Sequence, residues 1–264
     1  MYRLILALTL FSSLAWANPC PTTQHLAFNI KDNNEQVDQI LCKRGFVVGY
    51  SYYYKAPMYV AYKLDGESVA VNSGRGGNPF EEDEAIPREF RATLWDFKYS
   101  GYDRGHMAPR AALDGSDELR DETFLLSNMT AQAPSLNQRG WADLEEYVRF
   151  LAVTYKTIYV VTGSIFDGDN KTIGRGVYVP SHLYKVIYVP SLNSMLGFII
   201  ENSDFDIEGL KVKQAKINEI ENRAGFDFFP SIKNDEEDQM EKVEVDYCVL
   251  LGMGSLKAVS CAEQ

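Results

Sequence analysis

The sequence predicts an α+β fold built on one main sheet. Two pairs of β-branched and aromatic runs stand at hairpin spacing, at 46–64 and 183–200. One long stretch, 138–155, has helical periodicity instead. Strands and helices mix without the regular strand–helix–strand alternation of a parallel sheet. With 264 residues, 45% of them hydrophobic and 24% charged, the chain can bury a sizeable core.

The first element is a processing signal. Arg3 precedes an apolar run from Leu4 to Ala17, and Ala15-Trp16-Ala17 has the small-x-small form of a signal-peptidase site. That run is short for a permanent anchor, and no later segment approaches eighteen uninterrupted apolar residues. The expected product is exported, to the periplasm or the medium, with no membrane association once the signal is removed. Residues 18–45 read as an irregular arm tied down by cysteines. Cys20, Cys42, Cys248 and Cys261 are an even set in an exported chain and suggest two disulfides. Three connectivities are open, with the local pairs Cys20–Cys42 and Cys248–Cys261 preferred. No Cys-x-x-Cys points to a metal.

Phe46 to Tyr54 and Met58 to Leu64 form the first expected hairpin, closed by Lys55-Ala56-Pro57, with a turn at Asp65-Gly66. Residues 72–93 read as loop. Thr123 to Met129 is a short buried strand or a strand entering a loop. Trp141, Leu144, Val148, Leu151 and Tyr155 recur every three or four residues and make 138–155 a helix. Thr157 to Thr162 is a core strand. Leu183 to Val189 and Met195 to Ile200 form the second hairpin. Val212 to Arg223 reads as a helix stopped by Gly225, and Val243 to Leu251 as an edge strand. The resulting organisation is a signal peptide at 1–17, the arm at 18–45, one catalytic domain at 46–232, and an acidic loop with a cysteine-bearing tail at 233–264.

The chemistry concentrates in Gly101-Tyr102-Asp103-Arg104-Gly105-His106-Met107-Ala108-Pro109-Arg110. A carboxylate, a guanidinium and an imidazole fall within four residues, bounded by glycines that permit close backbone approach. Of the three histidines, His106 alone has a charged neighbour within two residues, which makes it the candidate general base. Downstream, Asn137, Glu145 and Arg149 fall within a sector of roughly 120° on the predicted helix. Taken alone, they are a cap and an ordinary one-turn ion pair.

Together the two segments say more. Asp103-Arg104-Gly105-His106, then Ser127-Asn128, Leu136-Asn137-Gln138, Trp141 and Leu144-Glu145, in that order, resemble the ββα-metal family of DNA/RNA non-specific endonucleases. The resemblance spans roughly 45–230 and includes Val161-Thr162-Gly163 and Tyr184-Lys185-Val186. It departs at Ala131, where the family has a proline. It implies the ββα-metal fold, a single domain around a mostly antiparallel sheet with flanking helices. It also implies Asn137 as the metal ligand, Glu145 as a helical glutamate acting on the ion's hydration shell, and Arg149 facing phosphate. Chemistry at phosphorus then suggests His106 as base, Arg104 with Arg149 on the non-bridging oxygens, and magnesium as the ion, with manganese able to substitute. Asp103 and Arg110 join the substrate-facing set, Asp103 by fixing the loop or Arg104. The upstream arginine of the family is assigned to Arg75, with Arg88 and Arg91 as rivals. The expected substrates are DNA and RNA, cut by a monomer or homodimer with little sequence preference, because these groups address phosphate and not base edges.

The net charge of −11 argues against salt-sensitive, high-affinity binding to long DNA. It does not argue against brief contact and cleavage. Residues 201–264 hold 7 Lys or Arg against 15 Asp or Glu, so most of the acidity lies away from the motif.

Overall fold

The computed structural model describes residues 20, 30–69, 80–169, 171–203, 213–230 and 232–240. Its strands are β1 (Lys31–Asp32), β2 (Gln39–Cys42), β3 (Phe46–Ser51), β4 (Ala56–Asp65), β5 (Asp103–His106), β6 (Met129–Gln132), β7 (Thr157–Ile165), β8 (Thr172–Ile173), β9 (Val177–Tyr178), β10 (His182–Val189), β11 (Ser194–Glu201), β12 (Lys213–Gln214) and β13 (Phe226–Asp227). The helices are α1 (Gly66–Val69), α2 (Leu94–Phe97), α3 (Asp117–Glu122), α4 (Ala142–Tyr155), α5 (Ile217–Ala224) and α6 (Asn234–Met240).

Seven strands form the main sheet in the order β12-β11-β10-β7-β4-β3-β2, and every neighbouring pair is antiparallel. The α+β expectation and both hairpins hold. The sheet is covered on both faces, so its central strands are apolar on both sides and lack a polar face. Along β10, Leu183 and Ile187 join Trp141, Leu144, Val148 and Leu151 of the α4 side in one core. Tyr184 and Val186 point the other way, into a layer closed by Ile217 and Ile220 of α5 and by Phe226, Phe228 and Phe229. A period of two thus assigns each β10 residue to a layer.

Three expectations need correction. The arm is not irregular: β2 pairs with β3 as an edge strand of the main sheet, and β1 pairs with β13. Ile40 and Leu41 explain it, one packing against each layer as a sheet strand requires. The helix expected over 212–223 begins only at Ile217, because Lys213–Gln214 pairs with Ile199 and Phe198 of β11. Its stop is as expected. Gly225 takes a left-handed φ of +80° and returns its N–H to the Glu221 carbonyl. Finally, the strand expected at 123–129 is a tight turn over Leu126–Asn128, and the strand itself starts at Met129.

The Cys20–Cys42 disulfide is present and ties Cys20 to β2. Cys248, Cys261 and the 243–251 strand lie outside the described residues. Among the described residues no helix is long and apolar enough to cross a membrane.

Candidate active site

The Asp-Arg-Gly-His segment is β5, one strand of a two-stranded antiparallel ribbon with β6, separate from the main sheet. Its register pairs Asp103 with Gln132, Arg104 with Ala131, Gly105 with Thr130 and His106 with Met129. Alternation puts Arg104 and His106 on one face of the ribbon, and Asp103 and Gly105 on the other. A Cβ at position 105 would run into the buried Gln132 side chain, so the ribbon closes only over glycine. The ribbon is pinned to the main sheet by a 3.1 Å hydrogen bond between the Thr130 and Ser164 hydroxyls. Asn202 adds two bonds, accepting from Ala133 N at 2.8 Å and donating to Ala131 O at 2.9 Å. Beyond His106 the chain is clamped by Asn128. Its Oδ1 accepts from Ala108 N at 2.9 Å, and its Nδ2 donates to Ala108 O at 2.9 Å and Thr123 O at 2.8 Å.

His106 is wedged among aromatic rings, with Phe124 at 5.1 Å edge-on and Phe80 at 5.6 Å. Arg104 lies over the same Phe80 ring, its guanidinium 4.2 Å from the ring centre. Two polar atoms here, His106 Nε2 and Arg104 Nε, are buried with no hydrogen-bond partner. Buried donors and acceptors are nearly always paired, so these two ask for a ligand; the Gln132 amide on the opposite face of the ribbon is likewise unpaired at both its atoms. Burial first, then the charges of Arg104 and Arg110, lower the His106 pKa to about 4. Near neutrality the ring is therefore uncharged and able to accept a proton.

Asn137 sits in a wide, π-helical turn over Leu136–Trp141 that leads into α4. Such turns break helical regularity and recur at functional sites. Its Nδ2 donates to Asp103 Oδ2 at 2.9 Å, and Gln138 Nε2 donates to the same oxygen at 2.8 Å. With its NH₂ committed to a carboxylate, Asn137 must turn its Oδ1 the other way. At the far end of the turn, Trp141 Nε1 donates to the His106 carbonyl at 3.3 Å. One four-residue strand thus carries the imidazole at its end and steers the amide at its start.

Several sequence-based expectations change. Asp103 ties its strand to the helix entry through Asn137 and Gln138, and among the described residues no bond joins it to Arg104. Arg110 pairs with Asp114 at 3.1 Å. The one-turn ion pair between Glu145 and Arg149 does not form within 4.0 Å, although the Arg149 charge still acts on the Glu145 carboxyl. Arg75 lies outside the described residues. Its rival Arg91 is engaged elsewhere, donating to Ile86 O at 3.0 Å and approaching Glu82 at 3.8 Å, and lines a separate recess with Arg88, Lys55 and Arg175. His182, read as structural, has its Nδ1 occupied by Ser181 and Arg223 at 3.0 and 2.9 Å.

Sequence reasoning missed the floor of the site. Lys185 of β10 is fully buried, its Nζ 4.4 Å from the centre of the Trp141 ring and 3.4 Å from Thr162 Oγ1. Burial raises the Glu145 pKa, opposed by Lys185, Arg149 and a hydrogen bond from Trp141. Burial lowers the Lys185 pKa, opposed by Glu145. A signal was available: Lys185 stands between Leu183 and Ile187 at a position that the period of two assigns to the core.

Among the described residues, no group of three or more His, Cys, Asp or Glu could cage a metal. Magnesium does not require one, because it keeps several waters and is held by one or two protein oxygens. Asn137 Oδ1, the end of the amide not engaged by Asp103, fits as such an anchor.

A two-stranded ribbon and a following helix, with an imidazole on the ribbon and an amide oxygen at the entry to the helix, define the ββα-metal class of nucleases. Comparison with known proteins agrees. The chain is 32% identical to mitochondrial endonuclease G of Bos taurus over 212 residues, 74% of this chain and 71% of that one. It is 31% identical to nuclease C1 of Cunninghamella echinulata var. echinulata over 207 residues, 72% and 82% of the two chains. A crystal structure of an EndoG/EndoGI complex superposes with a TM-score of 0.69 at 32% identity, covering 76% of this chain and 89% of that one. The family model for DNA/RNA non-specific endonucleases matches residues 24–235, and the chain belongs to that family.

Proposed function

We propose that this protein is an exported, magnesium-dependent endonuclease that hydrolyses phosphodiester bonds of DNA and RNA with little sequence preference. The observation that carries the reading is the pair of polar groups that β5 holds in place. His106 presents a buried, unpartnered Nε2 from one face, and Asp103 aims the Asn137 carbonyl from the other. A phosphodiester lying across the free edge of the ribbon meets both.

In this reading neutral His106, with its one ring N–H on Nδ1, takes a proton from the attacking water at Nε2. Arg104, stacked on Phe80 with its Nε unpaired, binds a non-bridging phosphate oxygen and strengthens that bond as charge develops. Asn137 would hold the ion through Oδ1. When bound, magnesium supplies charge neutralisation at the departing 3′ oxygen. Asp103 keeps the Asn137 amide from rotating, and Trp141 fixes the backbone at His106. Glu145 would accept hydrogen bonds from the water around a bound ion, and Arg149 and Arg110 add positive charge toward the strand. Manganese would be able to substitute for magnesium. Export is supported by the leader-like first 17 residues and by the Cys20–Cys42 disulfide, which needs an oxidising compartment to persist.

Nicking of supercoiled plasmid and cleavage of a folded RNA in magnesium test the reading. Both are expected; chelator abolishes both, and His106→Ala lowers both by about 100-fold or more. Binding without cutting under every metal condition would leave a binding module in place of an enzyme. Cleavage of small phosphodiesters with intact plasmid would shift the substrate class.

A further inference from the structure

One surface of this acidic chain sets its cations over aromatic rings instead of beside carboxylates. The chain holds 37 Asp or Glu against 26 Lys or Arg, so acidic partners are plentiful. Yet Lys171 Nζ lies 4.8 Å from the centre of the Tyr102 ring, the Arg175 guanidinium 5.0 Å from that of Trp95, and Lys98 Nζ 5.2 Å from that of Tyr99. Among the described residues, none of these cations forms an ion pair, and neither does Lys55 or Arg88. Their charge is left to meet an anion from outside. The rings are open as well: Trp95 is 57% exposed, Tyr53 65% and Tyr99 95%. Apolar surface gathered in this way marks an interaction site.

The groups are continuous, and they start beside the reaction centre. Tyr102, the residue before Asp103, shares a cavity of about 250 Å³ with Lys171, Phe166 and Tyr178. Lys171 Nζ donates to the Tyr102 hydroxyl at 2.8 Å. Asp167 of that cavity is held by Arg223 at 2.8 Å, while Asp169 and Glu201 repel phosphate there, so its ring walls suit a base. Tyr178 joins the turn between β3 and β4: its N–H donates to Tyr54 O at 3.0 Å, and the Tyr53 and Tyr54 rings lie 5.0 and 5.2 Å from its own. Lys55 comes next, donating from Nζ to Arg175 O at 3.4 Å, and lines a second recess of about 350 Å³ with Arg175, Arg88 and Arg91. Asp96 at that recess is buried and taken up by Thr93 N, Thr93 Oγ1 and Arg175 N at 2.8, 2.7 and 2.6 Å, which leaves Glu89 to face the four cations. Arg175 leads on to Trp95.

We propose that this strip is a binding track for single-stranded nucleic acid, its exposed rings stacking unpaired bases while Lys171, Arg175, Lys55 and Arg88 hold the phosphates. Rings interleaved with cations are what a single strand needs, because every base offers a face to stack and every linkage a charge. A duplex keeps its base faces inside its own stack and would leave these rings idle. The track rests on the nuclease reading above for its ligand class: a strand held at β5 continues past Tyr102 onto the strip.

The test is fluorescence anisotropy with a labelled oligothymidylate of about 16 nucleotides, the upper site size of single-strand modules, in chelator so that binding is read without cutting. Trp95→Ala is expected to weaken binding about fivefold, the low end of base–aromatic stacking, and Trp95→Phe to restore most of it. Arg175→Ala and Lys171→Ala should each lower the slope of log affinity against log salt by about 0.7, one phosphate contact apiece. Parental affinity and salt slope in all three alanine variants overturn the track. Equal losses on a hairpin duplex of the same length overturn its preference for single strands. If the variants do not fold, photocrosslinking of the parent to the same strand carrying 4-thiothymidine decides: adducts are expected at Tyr53, Tyr102 or Trp95, and adducts confined to other residues overturn the track. A parent that binds the strand at these rings but never cuts sinks the nuclease reading and leaves the track standing. A cutting parent whose variants bind as it does sinks the track alone.

Discussion

Asp103 offers a perturbation whose size can be worked out. Its Oδ2 receives two amide bonds, 2.9 Å from Asn137 and 2.8 Å from Gln138. Hydrogen bonds to a charged group contribute about 1.5–3 kcal/mol each when well formed. Gln138 is exposed, so the Asn137 bond is the one with consequence. In Asp103→Ala the Asn137 amide loses the partner that distinguishes its NH₂ end from its oxygen, and both orientations become accessible. Losing one such bond corresponds to about 10- to 100-fold in metal affinity, the range seen when outer-shell partners of metal ligands are removed. The assay is initial nicking rate against magnesium concentration. The half-saturating magnesium should rise by about 10- to 100-fold. Much of the rate should return at saturating metal, because the general base is untouched. A variant with the parental magnesium dependence, or one depressed equally at all concentrations, would refute the argument that Asp103 works by aiming Asn137.

Three further outcomes follow from the same geometry. His106→Ala should lower kcat by about 100- to 10,000-fold, the span of general-base contributions. Its stability should also become less sensitive to acid. The folded protein holds the neutral ring, with a pKa of about 4 against an ordinary 6.5. That contribution is complete above pH 6.5 and is lost as pH falls toward 4, so melting between pH 4 and 7 should show a steeper loss in the parent. Gly105→Ala should unfold at lower temperature and lose activity, because the added methyl meets Gln132 across the ribbon; a cooperative melt at the parental temperature would contradict this. Cys42→Ser opens a cross-link between positions 22 residues apart, and denaturant titration should show a loss of about 3 kcal/mol by loop entropy.

What the sequence revealed, and what it hid, divides along the range of the interactions. Asp103-Arg104-Gly105-His106 is contiguous and chemically unusual, so it stands out in one dimension, as do the hairpins with their local turns. The partner of Asp103 is 34 residues away, and composition gives no hint that its carboxylate serves an asparagine in place of an arginine. The start of α5 was hidden for a similar reason: Lys213 and Gln214 are held by β11, and a distant strand overrides local helical preference. Ile40 and Leu41 stand side by side in a short segment flanked by polar residues, so nothing in one dimension announced the edge strand that each helps to pack. Lys185 was legible to anyone reading β10 two residues at a time.

The strict alternation of β10 and β7 also bears on where the chain can change length. Tyr184 faces Gly163 while Lys185 faces Thr162, so inserting one residue inside either strand would exchange the two layers. The ammonium would land among Phe226 and Phe228, and a tyrosine would take its place beneath Trp141. Insertions are instead absorbed at the Pro190–Asn193 connection, which turns outside the ladder and leaves the pairing from Val189 and Ser194 downward intact. Loop grafts, tags or reporter peptides placed there should leave the reaction centre in register.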